Sequence, residues 1–102
     1  MANELERLQR WYSSQCNGDW EHTYGVFVEN LDNPGWTLKV ELTDTDLEES
    51  AFSPVDFQRS ETDWVHCKVD KFVFFRAGGA HNLTELLSIF LDWAETQSDD
   101  DA

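Results

Sequence analysis

The chain of 102 residues sets seven Lys and Arg against 21 Asp and Glu, for a formal charge of −14 and a pI near 4.2. A chain this long holds one domain around one core, and 40% hydrophobic residues, 14% of all residues being aromatic, separate it from disordered acidic sequences. The charge excludes direct contact with nucleic acid or an anionic membrane, both of which need clustered Lys and Arg, and it would steer a basic protein partner towards the fold. Solubility alone is the plainer use of such charge.

The first element reads as a helix, with Leu5, Leu8, Trp11 and Tyr12 at helical spacing, Asn3 as cap and Glu6 at the capping-box position. Turn formers from Ser13 to Asp19 should end it, with Asn17-Gly18 as a tight turn. Alternation over His22–Asn30, around Tyr24, Val26 and Val28, and over Trp36–Thr43 predicts two antiparallel strands. Between them Asp32-Asn33-Pro34-Gly35 is a turn in which Pro presets φ and Gly can supply a positive φ.

Asp44–Ser53 is acidic and weakly patterned, suited to a loop or one helical turn, and Phe52–Ser60 offers a strand interrupted by Pro54. Trp64–Val69 alternates, with Val65, Cys67 and Val69 on one face, and Phe72–Arg76 resumes after Asp70-Lys71 as a second hairpin. Gly78-Gly79 closes the strands, and Asn82 opens a helix with Glu85 at the capping-box position and Leu83, Leu86, Leu87, Phe90, Leu91 and Ala94 on one broad face. Ile89 and Trp93 widen that face, which should lie on a sheet with room for a further partner. A homodimer through it is less expected than a monomer. The expected architecture is α+β: an antiparallel sheet of four or five strands flanked by an N-terminal and a C-terminal helix, in one domain over 1–98 with a disordered acidic tail over 99–102.

The acidic start MANELERLQRW lacks the apolar region of a signal peptide, and no apolar stretch approaches the roughly 20 residues that span a bilayer, so a cytoplasmic location with reduced thiols at Cys16 and Cys67 is expected. Metal is not expected. Cys16, His22, His66 and Cys67 lack zinc-site spacing, and His66 and Cys67, adjacent in a strand, point to opposite faces. Cys67 fits a small core residue better than a nucleophile, and Gly78-Gly79-Ala80-His81-Asn82 fits helix capping better than a phosphate loop. No catalytic residue and no cofactor are expected.

The segment Asp19, Trp20, Glu21, His22 joins acids, an indole and an imidazole, a mixture common at binding sites. Its plainer reading puts Trp20 in the core, as Trp36 should be too. Asp44, Asp46 and Glu48, with Glu49, form an acidic run that could face a basic cleft or could simply be a solvated edge.

Three clusters, CNGDWEHTYG (Cys16–Gly25), LDNPGW (Leu31–Trp36) and the pair DWVHCKV (Asp63–Val69) with GGAHNLTELL (Gly78–Leu87), give the chain its likeness to a known family: it resembles the immunity protein 53 family of bacterial polymorphic toxin systems. The resemblance implies a protein that binds and neutralises a cognate toxin domain to protect the producing cell. It supplies no contact residues. Nucleic-acid-cleaving toxins are commonly basic, so an acidic inhibitor fits them physically. The competing expectations are a small adaptor or antitoxin-like module with another partner, and a small enzyme whose pocket the sequence does not reveal.

Overall fold

The computed structural model describes residues 3–32 and 34–100, apart from the side chains of 98–100; of the tail expected to be disordered over 99–102, residues 99 and 100 continue α3, while 101 and 102, like Asn33, lie outside the described residues. The order is α1 (Glu4–Gln15), α2 (Trp20–Thr23), β1 (Val26–Leu31), β2 (Gly35–Glu41), β3 (Val55–Gln58), β4 (Trp64–Asp70), β5 (Val73–Gly78) and α3 (Leu83–Asp100). The five strands form one antiparallel sheet in the order β1-β2-β5-β4-β3. The expected α+β class and both hairpins are present.

Period-2 alternation assigns the faces. Leu38 and Val40 in β2, Phe74 and Arg76 in β5, and Val65 and Cys67 in β4 are all at most 3% exposed and share one face. The helices cover that face. Their cover includes Leu86, Leu87, Phe90, Leu91 and Ala94 of α3 and Trp11 of α1. The opposite face carries Phe27, Lys39, Phe75 and Lys68 in one exposed lateral row. Lys39 Nζ lies 5.2 Å from the centre of the Phe27 ring.

At α1 the cap forms as expected: Asn3 Oδ1 accepts from Glu6 N at 2.9 Å. The helix runs to Gln15, past the expected break at Ser13. Only Trp11 of its apolar stripe is buried, Leu8 is half-buried, and Leu5 and Tyr12 are exposed. The guanidinium of Arg7 reaches across to Asp92 and Glu95 of α3 at 2.8 and 2.9 Å.

Four expectations change. His22 and Thr23 belong to the short helix α2, because Asn17 Oδ1 accepts from Asp19 N and Trp20 N at 2.9 and 3.0 Å and starts a helical turn there. Gly35 has no positive φ; it is needed because a Cβ there would collide with the Gly78 carbonyl oxygen. The broad face of α3 is closed by the chain itself: Phe52 packs on Trp93 at 5.1 Å, and Trp93 Nε1 donates to the Ala51 carbonyl at 2.9 Å. Asn82 does cap α3 with its carbonyl, which accepts from Leu86 N at 2.9 Å, but its side-chain amide bonds Glu85 and Asp63 at 3.0 and 2.9 Å instead of closing a capping box.

Arg76 was not anticipated as a core residue. Its alternation with Phe74 and Gly78 turns it inward, where it is 0% exposed and stacks 4.0 Å from the Phe74 ring and 5.8 Å from the Phe90 ring. Among the described residues none of its three guanidinium nitrogens has a hydrogen-bond partner. Burial pushes its pKa down to about 9. Removing a buried, unpaired cation in favour of an apolar side chain of similar length should be favourable. Arg76→Met is expected to stabilise the fold by about 1–3 kcal/mol, read as a rise in Tm of at least about 4 °C; a fall would show that ring stacking outweighs desolvation.

Candidate partner-binding surface

The residues singled out for binding converge on one end of the sheet. Glu41 N donates to the Gly25 carbonyl at 3.1 Å and its carboxylate accepts from Gly25 N at 3.1 Å, so the segment leaving α2 is fixed against the end of β2. Asp46 N donates to Gln15 Oε1 at 3.4 Å, which brings the acidic run against the C-terminus of α1. Leu42 N donates to the Phe72 carbonyl at 2.8 Å and attaches the β4–β5 turn to the same end.

Within this end Asp19, His22, Asp44 and Asp46 are exposed, while Glu21 and Glu48 are half-buried. Trp20 is not at the surface. It is 1% exposed and packs edge-on against Trp11 at 6.0 Å and beside Tyr12 at 5.7 Å. Its part in any contact is to position its neighbours. Glu21 also has local work: its carboxylate accepts from Asn17 N and Gly18 N at 2.9 and 2.8 Å, and backbone N–H groups of Glu21, Asn17 and Gly18 hold it below the usual carboxylate range. Leu47, fully buried, anchors the acidic run, and Thr45 ties it locally by donating to the Leu42 carbonyl at 2.7 Å and accepting from Leu47 N at 3.1 Å. The acids are therefore displayed on a fixed loop. A fixed display lowers the ordering cost of association.

Two residues that sequence reasoning missed stand here. Lys71 and Phe72, the central residues of the β4–β5 turn, have φ of 51° and 65°, and Asp44 has φ of 65°. A two-residue hairpin turn needs both central φ values positive and favours Asn-Gly. Asp tolerates that region, but a bulky residue such as Phe72 pays conformational energy to occupy it. Three non-glycine residues of positive φ therefore gather at this end, with Phe72 half exposed to solvent. The missed signal was the turn DKF itself, which lacks Gly and Asn between two clear strands.

At the opposite end of the sheet a polar network joins the β3–β4 connection to α3. Arg59 holds Asp63 through paired bonds at 2.8 and 3.0 Å and also bonds Glu85, while the Asn82 amide donates to both carboxylates. Arg59 first, and then Asn82, pulls Asp63 down to about 2. A carboxylate depressed in the folded state contributes stability that is present above its ordinary value of 3.8 and is lost as pH falls through about 2. Asp63→Asn should therefore flatten the loss of stability between pH 4 and pH 2 in acid denaturation followed by circular dichroism. An unchanged acid limb would assign that loss to other carboxylates.

The cysteines and His66 are each held in local contacts. Cys67 is 3% exposed and burial pushes its thiol up, Cys16 Sγ donates to the Tyr12 carbonyl at 3.3 Å, and His66 Nδ1 lies 2.8 Å from Asp56. Among the described residues no three His, Cys, Asp or Glu side chains stand close enough to hold a metal ion, and no helix is long and apolar enough to cross a membrane.

The family model of immunity protein 53 matches residues 5–95, nearly the whole chain. The chain belongs to the immunity protein 53 family. No match was found among curated proteins or among solved structures. The matched span runs from the first turn of α1 to Glu95 of α3, so membership embraces every element that builds the acidic end.

Proposed function

We propose that this immunity protein 53 chain neutralises a cognate bacterial toxin domain by forming a stoichiometric complex with it in the cytoplasm of the producing cell, without catalysis of its own. Family membership carries the reading, since the family's role implies a toxin partner. The contact surface we assign is the acidic end, with Asp19, Glu21, His22, Asp44, Asp46 and Glu48 as contacts and Trp20 beneath them. A formal charge of −14 favours a basic toxin, a nuclease being the case that fits best. Exposed acids on an anchored loop would cover a cleft shaped for phosphates.

Co-expression of this chain with the C-terminal domain of the adjacent toxin gene tests the reading through cell survival and co-purification. Rescue with a one-to-one complex is the expected outcome. An active toxin that neither binds the chain nor is restrained by it would overturn the reading for that pair.

A further inference from the structure

The two edges of the sheet are not equivalent. The β3 edge is four residues long, follows Pro54 and carries Asp56, features that discourage pairing. The β1 edge is six residues long, and Phe27 and Val28, on opposite faces of it, are 43% and 42% exposed. Its phase follows from the bond between Glu41 N and the Gly25 carbonyl, which makes Gly25 and Glu41 a hydrogen-bonded pair. Alternation then turns Phe27, Glu29 and Leu31 towards β2 and directs the backbone N–H and C=O groups of Val26, Val28 and Asn30 to the free edge.

Beside that edge runs an apolar groove of about 400 Å³ between α1 and β1, lined by Leu8, Tyr12, Tyr24 and Val26 among others. Tyr12, which lines it, is 40% exposed, and Leu5, further along the same stripe of α1, is 60% exposed, so α1 leaves apolar surface unused by its own fold. A strand added to β1 would bond Val26, Val28 and Asn30 and place alternate side chains into this groove.

We infer that the β1 edge and the α1 groove form a strand-addition site for an extended segment of a basic protein partner, with apolar side chains towards α1 and Lys or Arg on the other face. Charge selects this occupant: a second copy would bring another −14 to the same edge, whereas Glu29 and Asp32, both exposed, meet a basic segment favourably. The inference rests on the proposed toxin binding for the identity of the partner but not for the site, which begins at Tyr24, two residues beyond His22.

The test uses the full chain and Val28→Pro. The Val28 N–H faces outward, so proline there removes an edge donor without breaking the β1–β2 ladder. Val28→Lys, which adds charge to the edge, serves as a second variant. With the toxin domain, the expected result is slowed amide exchange at Val26, Val28 and Asn30 in the native chain and an affinity loss of about 30-fold or more in Val28→Pro, with Tm unchanged. Equal affinity in both variants and unslowed exchange would overturn the inference while leaving toxin neutralisation intact. If the native chain binds no toxin, that reading fails, and a ten-residue peptide of alternating valine and lysine decides the site: slowed exchange at the same three amides supports it, and unchanged exchange overturns it. A native homodimer abolished by Val28→Pro would overturn the inference in favour of self-pairing.

Discussion

Trp20→Ala is expected to cost about 3–5 kcal/mol, a large part of the 5–15 kcal/mol that holds a domain of this kind together, and to lower Tm by about 15–30 °C. The indole is 1% exposed, and its removal takes away the edge-on contact with Trp11 and the contact with Tyr12 together. Trp11 itself packs on Phe90 at 5.0 Å, so the cavity would open where α1, α2 and α3 meet. Trp20→Phe should recover most of the loss, because among the described residues the Trp20 Nε1 proton has no partner to forfeit. Asp19→Ala and His22→Ala, on exposed neighbours, should leave Tm within about 2 °C. Thermal melts of the four variants separate a core tryptophan from a contact tryptophan; a small loss for Trp20→Ala would contradict a core position for the indole.

The second large effect concerns association. Asp44 occupies φ of 65°, where Asn is as well accommodated as Asp and Lys is not. A variant with Asp44→Asn, Asp46→Lys and Glu48→Lys therefore removes charge without straining the loop. It takes the formal charge from −14 to −9, one unit coming from the first substitution and two from each of the others. If the acidic end steers a basic toxin, the association rate at low salt should fall by about 10-fold to 100-fold and its salt dependence should weaken. Stopped-flow mixing at two ionic strengths reads both. An unchanged rate would remove this loop from the contact surface and leave Asp19, Glu21 and His22 as the remaining acidic-end candidates.

Much of the architecture was legible because local and global signals agree. The Asn3 cap, the alternation through Trp36–Leu42 and Trp64–Val69, and the apolar face from Leu83 to Ala94 each follow one period, and each element formed. Val26 and Val28 illustrate the limit of periodicity. Alternation gives their face correctly, but only the position of α1 determines how little of that face is covered. The α2 turn was hidden because it depends on one side chain, Asn17, collecting two backbone N–H groups, a local bond that no repeat announces. Arg76 was hidden for the opposite reason: its alternation was visible, yet a charged residue is ordinarily placed on the wet face. In the sequence the acidic end is two separate stretches, and the bonds that unite them, from Gln15 to Asp46 and from Gly25 to Glu41, join residues far apart in the chain.

The strand order has a consequence for synthesis. β2 finds its second neighbour not in β3 but in β5, whose first paired residue, Val73, follows Glu41 by roughly thirty residues. At about 5–20 residues per second a ribosome needs about 2–6 s to supply that stretch, and α3, which roofs the sheet, emerges later still. Throughout that interval the nascent β1–β2 hairpin presents Leu38 and Val40 with only α1 and α2 available to cover them, so the sheet face closes only after β5 and α3 have been made. Early termination upstream of β5 would leave the sheet without its central strand.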